Sequence, residues 1–449
     1  MSVAGDGLRA TASGAASQPA FCVCVVGLGK IGLALAAQYA RRGLVVHGAD
    51  IDPVVVETVN RGQAPSHSED GLQERISEAA HQGLLSATLD TATAVRSSNV
   101  VVVIVPLLVD AHGQPDFRAL DAATRAIAAG LRPGTLVIYE TTVPLGSTRE
   151  RFGPMLQASG LRVGEDFHLA FSPERVLVGR TFDDLQKYPK IVGGTTAEAT
   201  QRAACFYAAA LGATSIEMPN AESAEFVKLA ETTYRDVNIG LANELARFAQ
   251  ARGIDAAEAF QAANTQPFSK LHTPGVGVGG HCIPVYPQFL LGQAKPDELA
   301  IVRRAREVND SMAEYAVELL VDRLGDLRCK RILILGLAYR GGVKEASNSS
   351  ALLLIEALHA RGARALINDP LFSVDELHRT GAEPIELDDA TDVDAIVLQT
   401  DHPEYLALEW TRFRAGGVLL DGRNVLDRRT VEHAGLDYLG VGRFSTIAK

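Results

Sequence analysis

Apolar residues come in short unbroken runs separated by helical patterns, and that rhythm predicts a parallel, doubly wound sheet. Residues 21–26 form the first run; a glycine turn follows, then a helix through about Arg42, then a strand over 44–50. Residues 100–105 and 136–140 are apolar almost throughout, as strands covered on both faces must be. Residues 168–171 and 190–192 read as strands that close this first region. From about Ala221 to Ala251 the period becomes helical, with Phe226, Leu229, Val237, Leu241 and Leu245 at apolar positions. A helix of that length suits a spine between domains and a dimer surface. Helix continues through Leu324, interrupted by a glycine-rich segment over 273–287. The strand–helix rhythm then restarts, with strands at 331–335, 365–368, 395–400 and 418–420 and a helix over 350–360. The expected architecture is α/β: two Rossmann-like, doubly wound domains joined by a helical central domain with one long helix. Its boundaries are a disordered tail over 1–20, a first wound domain over 21–215, the central domain over 216–325 and a second wound domain over 326–449.

Composition narrows the partners. Of 449 residues, 22% are charged, and the net charge is −11 with no Lys/Arg-rich run, which points away from nucleic acid because phosphate binding needs a basic surface. The five cysteines (Cys22, Cys24, Cys205, Cys282 and Cys329) show no repeated spacing, so neither a disulfide framework nor a metal site is expected. Cys22 and Cys24 read as core filling of the first strand. The first twenty residues are rich in Ala, Ser and Gly and lack the apolar stretch of a signal peptide. The longest apolar run, 100–109, is broken by Pro106 and too short to span a bilayer, so a cytoplasmic protein without membrane contact is expected.

Three segments carry candidate chemistry. Gly27-Leu-Gly29-Lys30-Ile31-Gly32 follows a strand and opens a helix, where glycines permit a tight turn and helix N–H groups can meet a pyrophosphate. Asp50, at the end of the next strand, can accept hydrogen bonds from both ribose hydroxyls and disfavours a 2′-phosphate, so NAD is the expected cofactor. The competing reading is a glycine turn beside a surface aspartate. Second, Thr273-Pro-Gly-Val-Gly-Val-Gly279-Gly-His281-Cys282 puts a thiol after a run with few side chains to pack against, which suits a nucleophile better than a core residue. An incidental cysteine on a flexible loop is the bland alternative. Third, Glu225-Phe-Val-Lys228 opens the long helix, followed by Glu231, Arg235, Asp236 and Asn238; such charges ordinarily mark a solvated face, whereas the apolar neighbours of Lys228 suit the edge of a buried cleft. Pro173-Glu174-Arg175 and Glu140-Thr-Thr142-Val-Pro follow strands, where α/β sheets place their ligands.

In this order, with AEFVKLAETTYRDVN, REVND and GLAYR between and after them, the segments resemble the UDP-glucose/GDP-mannose dehydrogenase family from about Phe21 almost to the C-terminus. The stretches ETTYRDVNIGLANE and GGHCIPV are most similar to the branch acting on UDP-N-acetylmannosamine or UDP-N-acetylglucosamine; glucose-acting members carry Ser where this chain has His281. The resemblance implies a four-electron oxidation of the sugar C6 alcohol to the uronate, using two NAD in succession through a thiohemiacetal and a thioester on Cys282. It implies that Lys228 and Thr232 stabilise the oxyanion, that Glu174 assists the hydrolytic water and that Thr142, on the cofactor side, positions it. It assigns Arg340, Arg423, Gly279 and His281 to the UDP-sugar, Arg303 and Arg306 to a contact donated across a homodimer, and polysaccharide precursor supply as the setting.

Four departures from the family pattern stand out. Thr232 replaces Asn four residues after the lysine, and Tyr286 replaces the Asp four residues after the cysteine. Strand four ends in Val105-Pro106 where the family has Thr-Pro, and Glu345-Ala-Ser347-Asn-Ser replaces Asp-x-Arg-Glu-Ser. Two alternatives therefore stand beside the acetamido-sugar reading: a UDP-glucose 6-dehydrogenase, and a non-catalytic nucleotide-sugar binder.

Overall fold

In a computed structural model, residues 21–65, 69–110 and 113–444 are described; the tail expected over 1–20 lies outside them. The chain divides into two compact units, Met1–Glu231 and Thr232–Lys449.

The apolar runs of the first unit become β1 (Cys22–Val26), β2 (Val45–Ala49), β3 (Leu85–Thr88) and β4 (Val100–Val103), then a small hairpin of β5 (Leu108–Val109) and β6 (Pro115–Asp116). They continue as β7 (Leu136–Tyr139), β8 (His168–Phe171), β9 (Lys190–Gly194) and β10 (Ser215–Glu217). The main sheet has the order β10-β9-β8-β7-β4-β1-β2-β3, parallel everywhere except between β8 and β9. Strand order reverses between β1 and β4, and the crevice beyond the carboxyl ends of such a pair is where these sheets bind ligands. Helices on both faces explain why β4 and β7 are buried at every position. Of the two cysteines expected to fill this core, Cys24 is buried and Cys22 only half-buried.

The long helix, Ala221–Gln250, starts in the first unit. Its entry is anchored by Glu225, whose buried carboxylate accepts the Gly146 N–H at 2.5 Å and the Thr148 N–H and hydroxyl at 2.8 and 2.6 Å. Burial, chiefly, pushes the Glu225 carboxyl up to about 7, against the pull of those hydrogen bonds.

The second unit repeats the architecture. Its strands β11 (Arg331–Leu335), β12 (Arg364–Asn368), β13 (Glu383–Pro384), β14 (Ala395–Leu398), β15 (Val418–Asp421) and β16 (Asp437–Gly440) form a parallel sheet of order β13-β12-β11-β14-β15-β16. The helices Ala300–Asp310 and Met312–Leu324 precede it in the chain. Among the described residues, no helix is long and apolar enough to cross a membrane.

Candidate active site

In the first unit, Gly27 turns the chain out of β1 with φ +94°, a conformation that side chains resist. A Cβ on Gly32 would stand 2.0 Å from the Gly27 carbonyl oxygen, whereas one on Gly29 would meet nothing within 4 Å. Gly29 is also the N-cap of the helix Lys30–Arg41 and brings no capping side chain to it. Half-buried Asp50 receives the Leu28 N–H on Oδ2 at 2.6 Å and the Asp52 N–H on Oδ1 at 3.0 Å. Next to it Ile51 is 94% exposed, an apolar surface beside the carboxylate that the sequence pattern does not flag. Open space over Gly29, a helix N-terminus behind it and a carboxylate at the second strand end fit a dinucleotide.

The second unit builds the same turn differently. Gly336 has φ +104° after β11, and the Leu337 and Ala338 amides donate to Asp369 at 2.7 and 2.9 Å. Asp369, however, is buried and shares Oδ2 with His402 Nε2 at 3.2 Å. With its oxygens spent inside the fold it offers nothing to a ribose, so only the first turn suits a dinucleotide.

Glu174 sits in the loop after β8. Its Oε1 accepts the Arg175 and Val176 amides at 2.6 and 3.0 Å, and its Oε2 the Lys190 ammonium at 3.1 Å. Burial opposes ionisation, but the Lys190 charge and these hydrogen bonds outweigh it and hold the Glu174 carboxyl down at about 2. Arg175 binds Glu231 at 2.9 Å, which ties this loop to the helix segment carrying half-buried Lys228. Thr142 is buried after β7, and its neighbour Thr141 donates to the Val105 carbonyl at 2.7 Å, at the strand end where the sequence departs from the family pattern.

In the second unit the glycine segment lies flat on its neighbours. Cβ atoms on Gly275 and Gly279 would come within 2.7 Å of the Gly422 carbonyl oxygen and of Tyr339 Cβ, so close approach is what these glycines provide. Gly280 N–H donates to the Ser347 carbonyl at 2.7 Å, and His281 Nε2 lies 2.9 Å from Ser347 Oγ and 3.4 Å from Glu345. The altered 345–349 segment thus braces the loop that presents Cys282, which is exposed. The Tyr286 amide donates to the Cys282 carbonyl at 2.9 Å and opens the helix Tyr286–Gln293. A cavity of about 360 Å³ is lined by Arg235, His272, Gly279, Ile283, Arg340 and Arg423. Three guanidiniums around one space suit a diphosphate. Thr232 is buried on the long helix.

The remaining arginines sit elsewhere. Arg303 is exposed on the helix Ala300–Asp310 and does not line the cavity. Arg306 is buried, its guanidinium on Asp236 and on Asp310 at 2.6 Å, and this ion pair accounts for it within the fold. Sequence reasoning gave Lys190 only as part of a strand, placed Glu140 in a segment after a strand without a role of its own, and named Arg235 only as part of a solvated helix face.

Residues 21–211 match the NAD binding domain of the UDP-glucose/GDP-mannose dehydrogenase family, 222–311 its central domain and 333–428 its UDP binding domain. The chain belongs to this family. It is accordingly an NAD-dependent oxidoreductase of nucleotide sugars. It is 37% identical over 430 residues to the UDP-N-acetyl-D-mannosamine dehydrogenase of Pyrococcus horikoshii, covering 94% of this chain and 99% of the relative. The solved structure of UDP-D-ManNAc dehydrogenase from that organism superposes with a TM-score of 0.84 at 36% identity, with 94% and 99% of the two chains covered. An NDP-N-acetyl-D-galactosaminuronic acid dehydrogenase from Methanosarcina mazei Go1 does so with a TM-score of 0.84 at 29% identity, covering 95% and 96%. Within the family's organisation, the Gly27–Gly32 turn, Asp50, Thr142 and Glu174 fall in the NAD binding domain. Lys228, Thr232 and Cys282 fall in the central domain, and Arg340 and Arg423 in the UDP binding domain.

Proposed function

We propose that this dehydrogenase oxidises the C6 alcohol of a UDP-N-acetylhexosamine, UDP-N-acetylmannosamine first among them, to the carboxylate through a covalent intermediate on Cys282. The observation that carries the reading is in the second unit. The glycine segment that presents exposed Cys282 also lines, with Gly279 and Ile283, a cavity holding three arginines. The names of the acetamido-sugar relatives support the choice of sugar.

The Gly27, Gly29 and Gly32 turn, the Lys30 and Ile31 amides, Asp50 and the Thr142 side would hold NAD, which would supply the hydride acceptor for two successive oxidations at C6. The chain's own residues do the rest. Arg235, Arg340 and Arg423 neutralise the diphosphate and seat the sugar, with Gly279 and His281 lining its reactive end. Lys228 and Thr232 donate to the C6 oxygen as negative charge develops there. The Cys282 thiolate adds to the aldehyde carbon, forming a C–S bond that keeps the aldehyde from escaping. After the second oxidation a water, oriented by Thr142, attacks the thioester carbon and gives its proton to Glu174. The C–S bond breaks, and the thiolate returns. In sum, one alcohol, two NAD⁺ and one water give one carboxylate, two NADH and three protons.

Tyr234, Leu241, Leu245 and Phe248 are exposed large apolar residues at helical spacing on the long helix. They support pairing of two copies along it, with Arg303 free to reach the second copy's substrate; Arg306, spent on Asp236, is left out of that role.

The test follows NADH by absorbance with UDP-N-acetylmannosamine, UDP-N-acetylglucosamine, UDP-N-acetylgalactosamine and UDP-glucose, each limiting. Two NADH per sugar from an acetamido substrate, abolished in Cys282→Ala, is the expected result. The same ratio from UDP-glucose alone overturns the sugar assignment. Binding without any NADH overturns catalysis in favour of a nucleotide-sugar binder.

A further inference from the structure

Lys190, the first residue of β9, lies between two carboxylates, 2.9 Å from Glu140 Oε2 and 3.1 Å from Glu174 Oε2. Glu140 leaves β7, and its second oxygen accepts the Tyr207 hydroxyl at 2.7 Å and the Tyr39 hydroxyl at 3.4 Å. Side-chain exposure rises along the cluster, from 0% at Glu140 and 7% at Lys190 to 13% at Glu174. The buried end therefore backs the end nearest solvent. A buried ion pair is weak support for a fold, since well-packed apolar side chains stabilise as well or better. A cluster of one cation and two carboxylates is a still poorer choice for stability alone, and its outermost member is the glutamate assigned to hydrolysis.

We propose that Lys190 and Glu140 are positioning residues for the reaction: the Lys190 ammonium pins Glu174 in one orientation, and Glu140 holds that ammonium from behind. The inference rests on the reading of Glu174 as the group that takes the proton of the hydrolytic water.

The arrangement has a consequence for pH. The charged and titratable groups facing Glu140 are Lys190 of β9, Glu174 of the β8 loop, Tyr207 of the helix Ala197–Leu211 and Tyr39 of the helix Lys30–Arg41. Burial pushes the Glu140 carboxyl up to about 7; Lys190 opposes that shift and Glu174 adds to it. Burial thus favours a proton on Glu140, whereas the Lys190 charge and the backbone amides keep Glu174 ionised. As pH rises through neutral, Glu140 loses that proton. Its new negative charge raises the proton affinity of Glu174, which becomes the better base.

The experiment compares Lys190→Met, Lys190→Arg, Glu140→Gln and Glu174→Gln by steady-state kinetics, pre-steady-state NADH burst, pH profile and thermal melting. Lys190→Met is expected to lower kcat about 100-fold with the UDP-sugar KM changed less than about threefold, as for a base that has lost its fixed orientation. The NADH burst survives, because both oxidations precede hydrolysis, and Lys190→Arg recovers most of the loss. Glu140→Gln, isosteric with the protonated acid, flattens the rise of kcat through neutral pH. Should Lys190→Met fail to fold, Glu140→Gln decides alone. Wild-type kcat and pH profile in folded Lys190→Met and Glu140→Gln, beside a crippled Glu174→Gln, overturn this inference only. Wild-type turnover in Glu174→Gln overturns the reading of Glu174 and this inference with it.

Discussion

A glycine that the fold requires and a glycine that a ligand requires differ in what surrounds them. A methyl at position 32 would collide with the Gly27 carbonyl, whereas a methyl at position 29 would enter open space. Gly29 has φ −67°, which any residue adopts, so nothing in the backbone explains it. Gly29→Ala should therefore fold with wild-type stability, within about 0.5 kcal/mol, and raise the KM for NAD about tenfold, because a pyrophosphate must approach that backbone closely. Calorimetry beside steady-state kinetics checks both halves; a normal NAD KM would mean the cofactor does not use this turn. The glycine turn, Asp50 and Cys282 were legible in the sequence because each answers a local demand of backbone or chemistry. Lys190 was not, since its partners leave β7 and β8, far from it along the chain.

Helices and strands show where pattern reading succeeds. Runs such as Val100–Val103 and Leu136–Tyr139 are buried at every position and announce themselves. Leu85–Thr88 and Ser215–Glu217 pass unnoticed, being only 4 and 3 residues long and partly exposed at the sheet edges. The antiparallel β8–β9 pairing is equally silent, because direction belongs to the pairing and not to the strand. Arg306 makes the point for a side chain. The motif around it suggested a substrate contact, yet it stands buried between Asp236 and Asp310, where it joins the helix Ala300–Asp310 to the long helix. Burial, chiefly, pushes the Asp236 carboxyl up to about 6 against the pull of Arg306, so the ionised pair is held at a cost. Arg306→Met should strand that carboxylate and destabilise the second unit by about 3–5 kcal/mol. The UDP-sugar KM of the folded fraction should stay unchanged. Urea unfolding with kinetics at low temperature separates the two; a stable variant with a raised KM would return Arg306 to the substrate.

For the chain as a whole, the repeated strand order in the two units is matched by one divergence. Asp50 keeps a half-buried carboxylate at the turn, and Asp369 is locked onto His402. One fold therefore serves a dinucleotide in the first unit and a different anionic ligand in the second. The exposed apolar positions of the long helix belong to this scale too, because the proposed pairing of two copies would bury them. Leu241→Glu is expected to convert a dimer into a monomer in light scattering, since a carboxylate cannot be buried unpaired in an apolar face. A wild-type chain that already scatters as a monomer would remove the dimer reading.

The sequence by itself determined the α/β class, the repeat of two wound sheets, the long helix, the glycine turn after the first strand and the thiol at the end of a glycine segment. Each of these is written in short-range periodicity or in residues that only one local conformation admits. Tertiary structure alone decided that three arginines converge on one cavity, that a fourth is spent on Asp236, and that Lys190 clamps Glu174 from inside the sheet. Those are pairings across long stretches of chain, chosen when burial forces each charge to find a partner.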